Sequence, residues 1–330
     1  MLRIGEIKFK NYPLVLAPME DVTDTMFRYF CKQEGVDLMF SEFISSDALI
    51  RNVKKILTKA RIYDYERPFG IQLYGKDIDA MAESVIIAEQ VGPDIIDLNF
   101  GCPVKKIAGK GAGAGLLKDI PQMMRITNAV IKASSLPVTA KTRLGWDENS
   151  KNILEVAERL QDAGIQALTI HGRTKTQMYT GKADWNLIGE VKNSPRISIP
   201  IIGKRDINSP EAAKEMFDKY GVDAIMIGRA SIGRPWIFRE IKHFLETGTK
   251  LEPYTVADQV DYLINHIKKL LEIKEEKRAI LSMRRFFAIC FKGIPNFRKT
   301  RIKLLQSLDI NEVYEILGDI SDKYGNYIQT

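Results

Sequence analysis

Of the residues that can do chemistry in this 330-residue chain, Cys102 stands in the most telling place. The stretch DLNFGCPVKK, 97 to 106, begins as a strand and breaks at Gly101, which delivers the thiol to the rim of a sheet. A lone cysteine also suits plain packing, but Gly101 and Pro103 fix the backbone beyond the strand and turn the side chain out of the core. With an ordinary pKa of ~8.5 the thiol is mostly protonated at neutral pH and can serve as a general acid. Cys31 and Cys290 lie in apolar helical surroundings and are assigned to packing. Three scattered cysteines with three histidines make neither a disulfide framework nor a metal cluster, and no metal is expected.

Lys141 lies inside the apolar run PVTAKTR, where a cation is costly unless a negative charge meets it. A reduced flavin, anionic at N1, is one such charge; a carboxylate such as Glu42 or Asp97 is the other reading. Gln72 is suited to the edge of a heterocycle and His171 to a ring or a phosphate, and either also fits a satisfied core polar group. GKRDI (203–207) and GRASIGRPW (228–236) each open with glycine after a strand and offer an arginine. Such loops suit a phosphate-bearing cofactor.

Something must bring these residues together. Short β-rich runs alternate with amphipathic segments: LVLAP (14–18), DLMFSEF (37–43), FGIQLY (69–74), IIDLNF (95–100), PVTAKTR (137–143), ALTIHG (167–172), IPIIG (199–203) and AIMIG (224–228). The helical segments between them include 79–92, 153–164 and 209–221, the last with Ser209 as N-cap, Pro210 in the first turn and Gly221 as stop. Eight βα units over residues 1–250 predict an α/β fold of the TIM (β/α)8 barrel type, with a doubly wound open sheet as its rival. Met19, Glu42, Gln72, Asn99, Cys102, Lys141, Arg143, His171, Arg173, Asp206 and Arg229 all fall at or just past strand ends, which favours the barrel because there those ends meet on one face.

Residues 251–330 lack strand signals and predict a small C-terminal helical domain, with helix breaks at KGIPNF and LGD. From Lys277 to Lys303 there are nine Lys or Arg and no Asp or Glu, against a net charge of +7 for the whole chain. The remainder is therefore slightly acidic. No run of apolar residues is long enough for a membrane span and the N-terminus does not read as a secretory signal, so a cytoplasmic protein is expected; a monomer is expected as well.

The motifs APMEDVTDTMFR (17–28), SEF (41–43), IQLYG (71–75), DLNFGCPVKKIAGKGAGAGLL (97–117), KTRLGW (141–146), TIHGRT (169–174) and IGRASIGRPWIF (227–238) span most of the chain. On these the sequence resembles the flavin-dependent tRNA-dihydrouridine synthases, most closely the bacterial B-type. The resemblance implies FMN across the barrel mouth. Pro18, Met19 and Glu20 would lie beside the ring, Gln72, Lys141 and His171 would bond it, and Gly203, Lys204, Arg205, Asp206, Gly228 and Arg229 would surround its phosphate. It implies NADPH or NADH as reductant and Cys102 as the proton donor to C5 of a uracil. Asn99 and Arg143 would face the base. Lys105, Lys106, Arg173, Arg284, Arg285, Arg298 and Lys299 would serve the RNA, which is tRNA or, on the sequence alone, ribosomal RNA.

The chain departs from the family at GKRD, where GNGD is usual, and at Ala114 and Gly115, where Ser and Ala are common. Lys204 and Arg205 then either bind the phosphate through their side chains, or Lys204 points to RNA. Rival readings are a flavin-dependent reductase of a small pyrimidine and a non-catalytic RNA-binding protein.

Overall fold

The computed structural model describes residues 2–204 and 206–328 and, for residues 54, 55 and 57, the main chain alone. Its strands are β1 (Arg3–Ile4), β2 (Ile7–Lys8), β3 (Leu14–Leu16), β4 (Met39–Phe40), β5 (Ile44–Ser45), β6 (Phe69–Tyr74), β7 (Ile95–Asn99), β8 (Val138–Arg143), β9 (Leu168–His171), β10 (Ile201–Lys204) and β11 (Ala224–Ile227). Each of the eight predicted runs contains a strand of one parallel sheet ordered β3-β11-β10-β9-β8-β7-β6-β4. The ends approach closure through a Val15–Leu38 bridge, with Leu16 N donating to Leu38 O at 2.9 Å. A parallel sheet that curls back on its first strand is a (β/α)8 barrel, so the open-sheet rival falls.

The surrounding helices are α1 (Thr25–Gln33), α2 (Ser46–Ile50), α3 (Lys54–Ala60), α4 (Ile78–Glu89), α5 (Lys105–Ala108), α6 (Ile120–Ala133), α7 (Ile153–Ala163), α8 (Trp185–Asn193), α9 (Pro210–Tyr220) and α10 (Ile237–Thr247). Helix α9 has the predicted ends: Ser209 accepts from Ala212 N, and Gly221 stops it at φ 65°. Two apolar layers result. Val15, Phe40, Ile95, Ala167, Ile202 and Ala224 fill the barrel, and their partners one position along the strands pack outward against the helices. The N-terminal hairpin β1–β2 places Leu2 and Ile4 in the inner cluster and thereby seals it. Gly203 is outward-facing where Trp185 comes close: a Cβ there would stand 2.3 Å from the indole, so only glycine lets α8 approach β10.

Four more helices follow, α11 (Val256–Leu271), α12 (Glu276–Cys290), α13 (Arg298–Gln306) and α14 (Ile310–Tyr324). The break at KGIPNF separates α12 from α13 as expected. That at LGD does not occur: α14 runs through Gly318. A glycine inside a helix costs ~1 kcal/mol relative to alanine. The stripe Val313, Ile316, Leu317 and Ile320, all buried, outweighs it. The true break lies at Ser307–Asp309, where Asp309 accepts from Glu312 N. Phe286, Phe287, Phe291 and Phe297 are buried, so the aromatics of the basic segment are core and do not form a stacking face. Among the described residues no helix is long and apolar enough to cross a membrane.

Candidate active site

The strand ends enclose a cavity of about 860 Å³, within the range of pockets that hold cofactors. Its wall takes side chains from loops all round the barrel: Pro18 and Met19 after β3, Phe43 after β4, Gln72 on β6, Asn99 and Cys102 at β7, Lys141 and Arg143 on β8, His171 on β9, Lys204 and Asp206 at β10, and Gly228 and Arg229 after β11. Helix α12 closes one side with Arg285 and Ile289.

Cys102 is 7% exposed and lines this cavity. Burial pushes its thiol pKa up, against the opposing pull of the Val104 N–H and of the Lys141 and Arg143 charges. Gly113, at φ 55°, packs beneath it; a Cβ there would lie 3.2 Å from that of Cys102 and in a strained conformation. Cys31 and Cys290 are buried in helices away from the cavity wall, and burial pushes the Cys290 thiol to about 12.

A chain of buried hydrogen bonds holds the Cys102 turn. Thr139 Oγ1 donates to Asp97 at 2.6 Å and Gln72 Nε2 donates to its other oxygen at 2.6 Å; Asn99 Nδ2 donates to Gln72 Oε1 at 2.7 Å. Asn99 Oδ1 then accepts from the Gly101 and Cys102 N–H groups at 3.0 and 2.9 Å. Burial raises the Asp97 carboxyl to about 6, with both hydrogen bonds and the Lys141 charge pulling the other way. Lys141 is 7% exposed and stands opposite Asn99 in the β7–β8 register. Asn99, expected at the base, lines the cavity and also positions Gln72 and the Cys102 turn.

The two arginines expected at the substrate act first on the protein itself. Arg143, 2% exposed, donates from Nε to Gly101 O at 2.7 Å and from Nη1 to Thr174 O at 2.9 Å and Met178 O at 3.2 Å, tying the cysteine loop to the loop after β9. Arg173 does not line the cavity. It pairs with Asp206 at 2.9 Å and donates to the Thr180 and Gly181 carbonyls, which secures the far end of the same loop. Between those clamps sits Tyr179, half exposed, its ring 5.5 Å from the Arg229 guanidinium. No motif in the sequence marks Tyr179. Its signal is length: the connection from 172 to 184 far exceeds the few residues usual between strand and helix, and long connections are commonly functional.

Other predicted residues fall as follows. Glu20 is at the mouth, where it pairs with Lys59, which also lies 3.9 Å from Glu42. Gly203 faces the helix layer and is absent from the wall. Arg205 lies outside the described residues. Lys105 and Lys106 are exposed on α5, just past Cys102. Arg285 donates to Glu20 O at 2.9 Å, Arg284 is half-buried, and Arg298 and Lys299 are exposed on the first turn of α13. Seven of the nine cations between 277 and 303 are exposed and none is buried.

An eight-stranded barrel with a thiol, a buried lysine and paired cations on its C-terminal face defines a TIM-barrel enzyme with a cofactor-sized site. Its fold is shared by the old yellow enzyme from Trypanosoma cruzi, with a TM-score of 0.55 at 13% identity over 76% of this chain and 92% of that one. Residues 15–322 match the family model described as dihydrouridine synthase (Dus). The tRNA-dihydrouridine synthase B of Pseudomonas aeruginosa is 38% identical over 94% of this chain and 93% of its own, and that of Pseudomonas putida 43% over 82% and 79%. A probable tRNA-dihydrouridine synthase of Rickettsia conorii is 38% identical over 91% and 90%. The chain belongs to the dihydrouridine synthase family.

Proposed function

We propose that the protein reduces the C5–C6 double bond of uridines in tRNA, in the cytoplasm, with FMN as its resident flavin and NADPH or NADH as reductant. The observation that carries this reading is a buried thiol on the wall of a cofactor-sized cavity that also holds the buried Lys141. The donor set fits the cofactor. Pro18, Met19, Met226 and Ile227 offer an apolar face for the ring. Lys141 would meet the N1 side, Gln72 and His171 the ring edge, and the turns at Asp206 and at Gly228 and Arg229 the phosphate.

A flavin held there would supply hydride chemistry toward C6 of the pyrimidine. Cys102 gives its proton to C5. Asn99 holds the Cys102 turn by accepting from its N–H groups, Gln72 and Asp97 hold Asn99 in turn, and Arg143 joins the turn to the loop carrying Tyr179. A uridine in folded RNA must be unstacked to enter such a mouth, at a cost of a few kcal/mol. Residues 251–330 would serve as the docking unit that holds the RNA meanwhile. The exposed cations of α12 and α13 support this over a free pyrimidine substrate. Arg298 and Lys299 sit at a helix N-terminus, where positive charge is disfavoured unless an anion is present.

Mapping dihydrouridine across total RNA from cells with and without the gene tests the reading. Specific tRNA uridines are expected to lose the modification. Unchanged tRNA with loss confined to ribosomal RNA would overturn the choice of substrate.

The raised Cys102 pKa sets a pH dependence. Because the acid must be protonated, single-turnover reduction of tRNA by pre-reduced enzyme should stay level through ~8.5, where an ordinary thiol ionises. It should decline only above that, and an alkaline limb centred below pH ~8 would contradict the assigned acid.

A further inference from the structure

The helical unit meets the barrel mouth beside β3 and β11. Lys274 donates to Asp24 at 2.7 Å and Arg285 to Glu20 O at 2.9 Å, both in the stretch after β3, and Cys290 Sγ lies 3.5 Å from Gly233 O after β11. The strand order puts β7, β8 and β9 across the barrel from there. The loops of that far bank are basic. Residues 101–118 after β7 and 172–183 after β9 contain no Asp or Glu, and their Lys105, Lys106, Lys110, Lys118, Lys175 and Lys182 form no ion pair among the described residues. At the centre stands Trp146, half-buried after β8, with the Lys118 ammonium 4.0 Å from its ring centroid and that of Lys175 at 4.4 Å. Attraction to the ring thus holds two like charges beside one another. The acids nearest in sequence are committed elsewhere: Asp119 accepts from Gln122 N as the cap of α6, Asp147 accepts from Asn149 N and the Ser150 hydroxyl, and Glu148 pairs with Lys151.

The ring is itself fixed to the site. Lys175 N donates to Gly145 O at 3.0 Å and Thr176 N to Trp146 O at 2.9 Å, which joins the loops after β8 and β9. Arg143 binds both Gly101 O and Thr174 O, so the lysine pair is set in register with the Cys102 turn. A free lysine loses rotamer freedom when it meets a phosphate, whereas two lysines already ordered on a ring have lost part of it beforehand. We propose that Trp146 holds Lys118 and Lys175 as a preformed clamp for RNA backbone phosphates, on the bank of the mouth opposite the helical unit. The inference rests on the tRNA reading above and adds to it a second set of contacts, on the barrel itself. RNA lying between this clamp and the cations of α12 and α13 would be held on either side of the uridine to be unstacked. Because the lysines occupy its ring, Trp146 acts by positioning them and not by stacking on a base.

The test titrates the full-chain holoenzyme into end-labelled tRNA at several salt concentrations and follows fluorescence anisotropy. The variant carrying both Lys118→Gln and Lys175→Gln should bind about tenfold more weakly at ~0.1 M salt, and its plot of log Kd against log salt should be shallower by roughly 1.4–1.8, the contribution of two phosphate contacts. Its flavin content should match that of the wild type. Lys118→Arg with Lys175→Arg should restore both affinity and slope, since the charges are kept. Trp146→Leu, which keeps the two charges but not the aromatic faces, should weaken binding about threefold with the slope unchanged. Wild-type affinity and slope in the double glutamine variant would overturn the proposal and leave the tRNA reading in place. Weaker binding by that variant at an unchanged slope would overturn it too, because it marks a structural loss. If the wild-type protein does not bind tRNA, the tRNA reading fails first and this surface with it.

Discussion

Cys102→Ala should bind flavin and oxidise NADPH as the wild type does, yet form dihydrouridine at least ~100-fold more slowly, the usual range for loss of a positioned acid being ~10²–10⁴. The separation of effects follows from the local geometry. Asn99 Oδ1 holds the main-chain N–H of residue 102, and Ala114 N donates to its carbonyl at 3.1 Å, so deleting Sγ leaves the turn in place. Flavin reduction requires no proton from this residue. Reduction of the pyrimidine does, and water is a poor replacement for a positioned acid. Cys102→Ser should fall between the two, since its hydroxyl can donate but with a much higher pKa. Single-turnover mixing of pre-reduced variant with tRNA reads the step directly, and product formation at the wild-type rate would remove Cys102 from the mechanism.

The same thiol shows how much of the site is legible in the sequence. All eight barrel strands could be read because a short buried parallel strand has a local signature: a few β-branched residues bounded by Gly, Pro or Asp. Residues at the C-terminal ends of those strands then converge through topology alone, so Cys102, Gln72, Lys141, His171 and Arg229 could be gathered into one site from their positions in the chain. The hairpin β1–β2 had no such signature, because strands of two residues are too short to display a period. Gly318 reads as a stop in the sequence, whereas the buried stripe on either side decides the matter.

Roles within the site were less legible than membership. An arginine at a strand end satisfies a substrate phosphate or a set of main-chain carbonyls equally well, and the choice depends on a loop whose path the sequence does not specify. Arg143 reaches the loop between β9 and α8 from 31 residues away, and Arg173, near the start of that loop, folds onto its far end at Thr180 and Gly181; neither contact shows as a local pattern. Asn99 is similar: it lines the cavity, as a residue facing a ligand should, and its amide also holds Gln72 and the Cys102 turn, a second task that no local pattern reports. In each case a motif residue supports the chemistry by holding main chain.

Arg28, within the first motif, carries that argument to its largest expected effect on stability. It is 2% exposed and its Nε donates at 2.7 Å to Glu66, which is fully buried. Nη1 donates to Thr23 O at 2.9 Å and Nη2 to Arg61 O at 3.1 Å, while the guanidinium lies 4.9 Å from the Phe69 ring centroid. Glu66 in turn accepts from the Tyr63 N–H at 2.9 Å. Glu66→Ala should therefore lower the stability to urea by about 3–5 kcal/mol, because it leaves a guanidinium buried without its counter-ion. Glu66→Gln, which preserves shape and an acceptor, should lose less. The damage should reach the site, since Thr23, fixed by Arg28, bonds Met19 through its hydroxyl: Met19 N donates to Thr23 Oγ1 at 3.0 Å and Thr23 Oγ1 to Met19 O at 3.1 Å. Weaker flavin retention should thus accompany the stability loss in Glu66→Ala. A variant within about 1 kcal/mol of wild type, the range of a surface ion pair, would show that this buried pair does not hold the first loop.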